Sequence, residues 1–196
     1  MTSPIQLIVG LSNPGAIYTS TRHNIGAWYV KFLAKRYDVS FKKNRKFFGY
    51  TARLHIDNKH LRLLIPTTFM NNSGKSVLAM ANFYHIQNEE ILVAHDDLNL
   101  PVGIAKFKNN ENYGGHNGLK NININLGKKR NFHRLSIGIG HPGDRNKVVE
   151  FVLGQPLKEE KQKIINVINE ATLCTELWLK HTYLEAINRL HNFKAI

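Results

Sequence analysis

The chain holds one cysteine, Cys174, which rules out a disulfide framework or a cysteine-ligated metal cluster. It stands in an apolar periodic stretch with Val167, Ala171, Leu177 and Trp178, the setting of a buried thiol. Acidic residues are scarce: 14 Asp and Glu face 27 Lys and Arg, a formal charge of +13. Such a surface attracts polyanions, and nucleic acid is the favoured partner, with the general basicity of a Lys- and Asn-rich chain as the alternative. Long apolar runs are missing too. No stretch approaches ~18 residues, and the amino-terminal segment has no basic region ahead of a signal-type core, so a soluble, cytoplasmic protein without membrane association is expected.

Familiar catalytic spacings are also absent. Gly10-Leu-Ser-Asn-Pro-Gly15 has neither the Lys-Ser/Thr ending of a phosphate loop nor the glycines of a dinucleotide fingerprint, so no nucleotide cofactor is expected. Its second glycine falls three residues after Ser12, one too many for a nucleophile elbow. The 10 histidines include no His-x-x-x-His pair beside an acid, and Asp96-Asp97 is a single acidic pair, so no metal site is expected.

What is present reads as one domain of alternating strands and helices. At 196 residues and 42% hydrophobic content, the chain suits one core. Strands are expected at Ile5 to Leu11, Phe48 to Ile56, Leu61 to Pro66, Ile91 to Ala94, Ile104 to Lys108 and Leu135 to Gly140. The second and third are joined by a turn at Asp57-Asn58-Lys59, and Lys42 to Lys46 reads as a basic connection. Helices are expected from about Arg22 to Tyr37, from Asn72 or Ser73 to Tyr84, from Asn117 to Leu126, and from Leu157 to His181, with Leu184 to Phe193 extending or capping the last. The class is α/β, with a sheet covered on both faces and mixed because one strand pair looks like a hairpin.

Four segments put Asn or His beside turn formers at the ends of apolar runs: Gly10 to Gly15, Thr21 to Asn24, Phe69 to Gly74 and Gly114 to Gly118. Loops of that kind present amides and imidazoles to a ligand. With covalent and metal chemistry set aside, the remaining reading is hydrolysis with His23 as base. A helix amino terminus would disfavour its imidazolium, while Asp96 could orient the ring and favour the charged form. These effects oppose each other, so the residues alone yield the pairing and not a proton affinity. Asn71 and Asn117, with glycine amides, supply oxyanion donors that do not compete as bases. Each Asn taken singly is also an ordinary turn former.

The same residues resemble the bacterial peptidyl-tRNA hydrolases over nearly the whole chain. The matching segments, in order, are Leu7-Ile-Val-Gly-Leu-Ser-Asn-Pro-Gly15, Tyr18 with Thr21-Arg-His-Asn24, Pro66-Thr-Thr-Phe-Met-Asn71, His95-Asp-Asp-Leu98, Gly114-Gly-His-Asn-Gly-Leu119 and Arg134-Leu-Ser-Ile-Gly-Ile-Gly-His-Pro-Gly143. The resemblance implies a monomeric single-domain α/β protein with a twisted mixed β-sheet surrounded by helices, working without a cofactor. Its implied activity is cleavage of the ester between a peptide and the terminal ribose of tRNA. It further implies His23 as general base, Asp96 as its support, and Asn13 as the residue that accepts blocked and rejects free amino ends. Tyr18, Phe69, Asn71 and Asn117 would contact substrate, His116 would shape the channel for the tRNA end, and Lys106 and Lys108 would grip phosphate.

Two departures stand out. Asn109-Asn-Glu-Asn-Tyr113 replaces a glycine-rich approach, and Ser136 replaces an Arg of the phosphate clamp, with Lys128, Lys129, Arg130 and Arg134 near enough in sequence to compensate. Rival readings are a non-enzymatic RNA binder, a hydrolase of small esters or peptides, and a stacking platform at Phe47, Phe48 and Tyr50, which also suit ordinary strand packing.

Overall fold

Short apolar runs bounded by turn residues build the centre of the molecule, because a strand buried on both faces needs no polar side chains. The computed structural model describes residues 4–57, 59–109, 112–127 and 131–196. Among them the strands are β1 (Leu7–Gly10), β2 (Lys42–Asn44), β3 (Gly49–Ile56), β4 (Lys59–Pro66), β5 (Ile91–Asp97), β6 (Ala105–Lys108) and β7 (His133–Gly138). They form one sheet in the order β2-β3-β4-β1-β5-β7-β6. The four inner strands, β4, β1, β5 and β7, run parallel, while β3 is antiparallel to β2 and β4, and β6 to β7. The expected mixed α/β sheet is therefore present, with antiparallel strands at both ends.

Alternating side chains feed two cores. Ile8, Leu92, Ala94, Leu135 and Ile137 meet α1 (Ile25–Arg36), α5 (Lys158–Lys180) and α6 (Tyr183–Asn192) on one face. Leu7, Val9, Ile91 and Val93 meet α2 (Ser73–Tyr84) and α3 (Asn117–Asn125) on the other. Cys174 is buried in the first core. No described helix is long and apolar enough to cross a membrane.

Four local expectations change. Lys42 to Lys46 is not a plain connection: Lys42–Asn44 pair with β3 as an edge strand, whose exposed lysines suit an edge that must not recruit further strands. β5 continues beyond Ala94 through His95, Asp96 and Asp97, which pair with Ser136, Ile137 and Gly138. Ladder hydrogen bonds use the backbone, so polar side chains do not end them. A short helix, α4 (Val148–Leu153), lies where no element is expected from the sequence. Leu184 to Phe193 belongs to a separate helix, α6, whose Thr182 hydroxyl accepts from the Glu185 amide at 3.2 Å. Asn58 of the expected turn lies outside the described residues.

A close approach of α1 to the sheet fixes where the turn ahead of that helix can stand. A methyl group at Gly26 would lie 2.2 Å from the Ala94 carbonyl oxygen and 2.6 Å from the Leu11 amide nitrogen. Only a residue without Cβ lets the first turn of α1 lie directly on β1 and β5. Gly26→Ala should cost ~1–3 kcal/mol by overpacking against backbone that has nowhere to go. At roughly 2–4 °C per kcal/mol for a chain of this size, a thermal melt unchanged from wild type would show that the contact is not tight.

Candidate active site

In open α/β sheets ligands gather beyond the carboxyl ends of the parallel strands, where successive connections leave in opposite directions. Here β1, β4 and β5 release the segments carrying Asn13, Phe69 to Asn71, and Asp96 to Asn99 at that edge. The loop before α3 and the helix α4 close the sides, leaving a cleft of about 1090 Å³.

His23 lies in a 3-10 turn, Arg22–Asn24, just ahead of α1. Its Nδ1 is 2.9 Å and 3.0 Å from the two carboxylate oxygens of Asp96, the buried penultimate residue of β5. An ionised carboxylate only accepts, so Nδ1 carries the proton and Nε2 keeps its lone pair. Among the described residues that Nε2 has no protein partner.

Burial opposes charge on His23, yet the Asp96 charge and hydrogen bond outweigh it and raise the pKa. The α-helix begins only at Ile25, so His23 stands ahead of it, beside the carboxylate that favours its charged form. For Asp96, burial would raise the pKa, but the His23 and His116 charges and hydrogen bonds hold it well below the usual carboxylate range.

His116 shares the same carboxylate, its Nε2 donating to Asp96 Oδ1 at 2.9 Å. Its Nδ1 accepts from the Leu119 amide at 3.4 Å, capping α3. Both nitrogens of this imidazole are therefore engaged, which separates it from His23 although the ring centroids are 4.8 Å apart. Behind them, His95 Nδ1 donates to the Asp96 carbonyl at 2.7 Å, and its Nε2 accepts from the Ser136 hydroxyl at 2.9 Å. Burial, with the neighbouring His116 charge, pushes the His95 pKa down and keeps this ring neutral.

The amide donors occupy three rims. Asn13 Oδ1 accepts from the Met70 amide at 2.8 Å, which leaves its NH2 as a donor at the cleft. Asn24 holds it there: Asn24 Oδ1 accepts from the Asn13 amide at 2.8 Å and Nδ2 donates to the Asn13 carbonyl at 2.9 Å. The sequence assigns Asn24 no role of its own, since a reciprocal amide clamp leaves no local pattern. Asn71 and Asn117 are at the cleft, and Phe69, 58% exposed, lies on the same rim.

Other expected residues fall elsewhere. Tyr18 does not line the cleft; its carbonyl accepts from the Thr21 hydroxyl at 2.8 Å in the turn that leads to His23. Lys106 also lies off the cleft, on β6 opposite Ser136. Lys108 lines it, but its ammonium is 2.7 Å from Asp97, so its charge is already partnered. Ser136 is fully buried against His95 and cannot reach a ligand. Arg134, two residues earlier on β7, lines the cleft and donates to the Asn112 carbonyl at 2.7 Å. Lys128, Lys129 and Arg130 lie outside the described residues.

Sequence reasoning missed Lys120, Arg145 and the apolar wall of Val148, Val149, Val152 and Leu153. The i, i+4 spacing of Val148 and Val152 was the available signal, in a helix too short to stand out.

His23, Asp96 and His116 also bring three possible metal-ligating atoms within 4.8 Å of one another. Two histidine nitrogens face one carboxylate at hydrogen-bond distance, so each N–H already occupies the direction from which a metal would be bound. The donor set thus fits a proton-relaying cluster better than a metal centre.

Among the described residues lining the cleft there is no Ser, Thr or Cys. A carboxylate-held imidazole with an open nitrogen and amide donors around it, with no serine, threonine or cysteine among the described lining residues, suits a hydrolase that activates water. A model of the peptidyl-tRNA hydrolase family matches residues 7–196. The chain is 61% identical over 193 residues to the peptidyl-tRNA hydrolase of Erwinia tasmaniensis, covering 98% of this chain and 99% of that one. It is 60% identical over 193 residues to that of Proteus mirabilis, covering 98% and 100%. The crystal structure of peptidyl-tRNA hydrolase from Acinetobacter baumannii matches with a TM-score of 0.95 and 41% identity, covering 100% of this chain and 99% of that one. The chain belongs to the peptidyl-tRNA hydrolase family.

Proposed function

We propose that this protein hydrolyses the ester joining a peptide, or an N-blocked amino acid, to the terminal ribose of tRNA, freeing tRNA from chains released prematurely by ribosomes. The observation that carries the mechanism is the open Nε2 of His23 in a cleft whose described lining residues include no serine, threonine or cysteine. His23 takes a proton from water, and the oxygen attacks the ester carbonyl. Asp96 stabilises the imidazolium so formed, and Asn71 and Asn117 donate to the carbonyl oxygen as it gains charge. Collapse breaks the bond to the ribose oxygen, which takes the proton from His23; the products are a free ribose hydroxyl and a peptide carboxylic acid, which then releases its remaining proton to solvent. The NH2 of Asn13 suits an acylated amino end, which offers a carbonyl where a free amine offers a charge. Phe69 and His116 flank the acceptor end.

Phosphates are met by a basic surface at and beside the cleft, Lys106 and Lys108 joined by Lys120. The whole chain acts as one domain and as a monomer in the cytoplasm. Neither metal nor cofactor enters any step.

Affinity for deacylated tRNA should fall as salt rises, because each phosphate contact releases counterions. Lys120→Ala should reduce the slope of log affinity against log salt by about one. A salt-independent affinity would remove the basic surface from the account. A hydrolase of small esters would cleave an N-acetyl amino-acid ethyl ester as fast as the same acyl group on tRNA, so comparing the two decides against that rival.

A further inference from the structure

The residue before His23 is a buried arginine that the proposed reaction does not use. Arg22 is 7% exposed. Its Nη2 donates to Glu160 Oε2 at 2.8 Å, and its Nη1 to the carbonyls of Gln155 at 2.9 Å and Phe151 at 3.3 Å. The guanidinium carbon lies 4.1 Å from the centroid of the Phe151 ring. Its own backbone amide donates to the Gly154 carbonyl at 3.0 Å. Glu160 Oε2 in turn accepts from the Leu157 amide at 2.8 Å, at the start of α5. One side chain therefore gathers the carbonyls that end α4 and the carboxylate that begins α5, and holds that elbow against the turn carrying His23.

The elbow matters because α4 supplies the apolar wall of the cleft, with Val148, Val149, Val152 and Leu153. We infer that Arg22 is a positioning residue that sets the distance of His23 from Asp96 and, through the same guanidinium, the place of the α4 wall against the reacting bond. The second half of this inference rests on the proposed reaction; the first does not.

The chemistry explains the residue type. Three acceptors in different directions and an aromatic face match a planar fork with several donors, and a single ammonium cannot serve them all. The arrangement is also not the most economical for stability, since the Arg22 Nε–H is buried without a hydrogen-bond partner. A buried charge with an orphan N–H is commonly matched in stability by an apolar side chain of similar size. Its presence here fits a demand on geometry.

The test uses Arg22→Lys, which keeps the charge, so a change at His23 reports distance and not lost repulsion. Around His23 the titratable groups are Asp96 and His116, with His95 behind Asp96 and the Arg22–Glu160 pair on the far side of the turn. The His23 pKa is read by NMR of its imidazole, without substrate. Turnover of N-acetyl-aminoacyl-tRNA and affinity for deacylated tRNA are measured in parallel.

In Arg22→Lys the His23 pKa should fall toward that of a buried imidazole with a weakened carboxylate partner. The kcat should drop by up to ~10²-fold, the loss a displacement of about 1 Å at a catalytic group can cause, with tRNA affinity within about twofold of wild type. Glu160→Gln, which leaves Arg22 in place, should move both quantities in the same direction by less, and serves if Arg22→Lys does not fold. Wild-type pKa and kcat in the folded variants would overturn the inference, as would a loss of tRNA affinity as large as the loss of kcat/KM. If the pKa falls but the wild-type protein cleaves no peptidyl-tRNA, the positioning role stands and the proposed reaction fails.

Discussion

His23→Ala should slow single-turnover hydrolysis of N-acetyl-aminoacyl-tRNA by about 10²–10⁴-fold, the usual contribution of a positioned base, while affinity for deacylated tRNA stays near wild type. The split is expected because His23 contacts Asp96 and, in the proposed reaction, the attacking water, not the basic surface. The variant should also fold. Asp96 is buried and would be costly to leave without partners, but His116 Nε2 still donates to it at 2.9 Å. Removing His23 thus takes away the base without orphaning the carboxylate. A rate near wild type would exclude His23 from the mechanism. A parallel collapse in tRNA affinity would recast it as a binding residue, the role it would have in a non-enzymatic RNA binder.

Asp96→Asn should lower the plateau of kcat/KM by a similar ~10²–10⁴-fold and shift its acid limb to lower pH. The direction comes from the opposed influences on His23. Burial depresses its pKa and Asp96 raises it, with a net rise; an amide at position 96 leaves burial in command. An asparagine also offers one accepting oxygen and one donating NH2 where two N–H groups now converge, so one imidazole must change tautomer or lose its bond. An unmoved acid limb would mean that the limb does not report His23.

The same pair bears on stability. His23, with a raised folded pKa, contributes stability that is fully present below the unfolded value of about 6.5 and is lost as pH rises through the folded value. Asp96, with a depressed pKa, contributes above about 3.9 and loses its contribution as pH falls through the folded value. The pair therefore stabilises most between about pH 4 and 6.5, whereas a base must be neutral and works best above its own pKa. The difference in melting temperature between wild type and Asp96→Asn should be largest in that acidic window and shrink toward alkaline pH, even as the wild-type rate rises.

Much of the architecture was legible because apolar run length and turn chemistry are local. Ile91 to Ala94 reads as a buried strand from its own composition, and the helices around Val77 and Ile168 from their own periodicity. The candidate cluster was legible in its residue types: a histidine, an acid and several loop amides that no core requires. Only the tertiary structure decided how far β5 runs, since strand pairing with β7 carries the backbone through three polar residues that locally look like a loop. Sheet order alone brought His23 to a residue 73 positions away.

The same holds for the roles of individual charges. Lys108 and Ser136 belong to motif positions, yet Lys108 is paired with Asp97 and Ser136 is sealed beneath His95. Two histidines face one carboxylate, and the α3 amide occupies the second nitrogen of His116 while that of His23 has no protein partner among the described residues. Sequence by itself determined which groups are present and which segments must be buried, because hydrophobic burial and backbone preference act on neighbours along the chain. Which groups are free to react was decided by packing, because a hydrogen bond or ion pair depends on what lies within about 3 Å in space, and a linear pattern does not specify that.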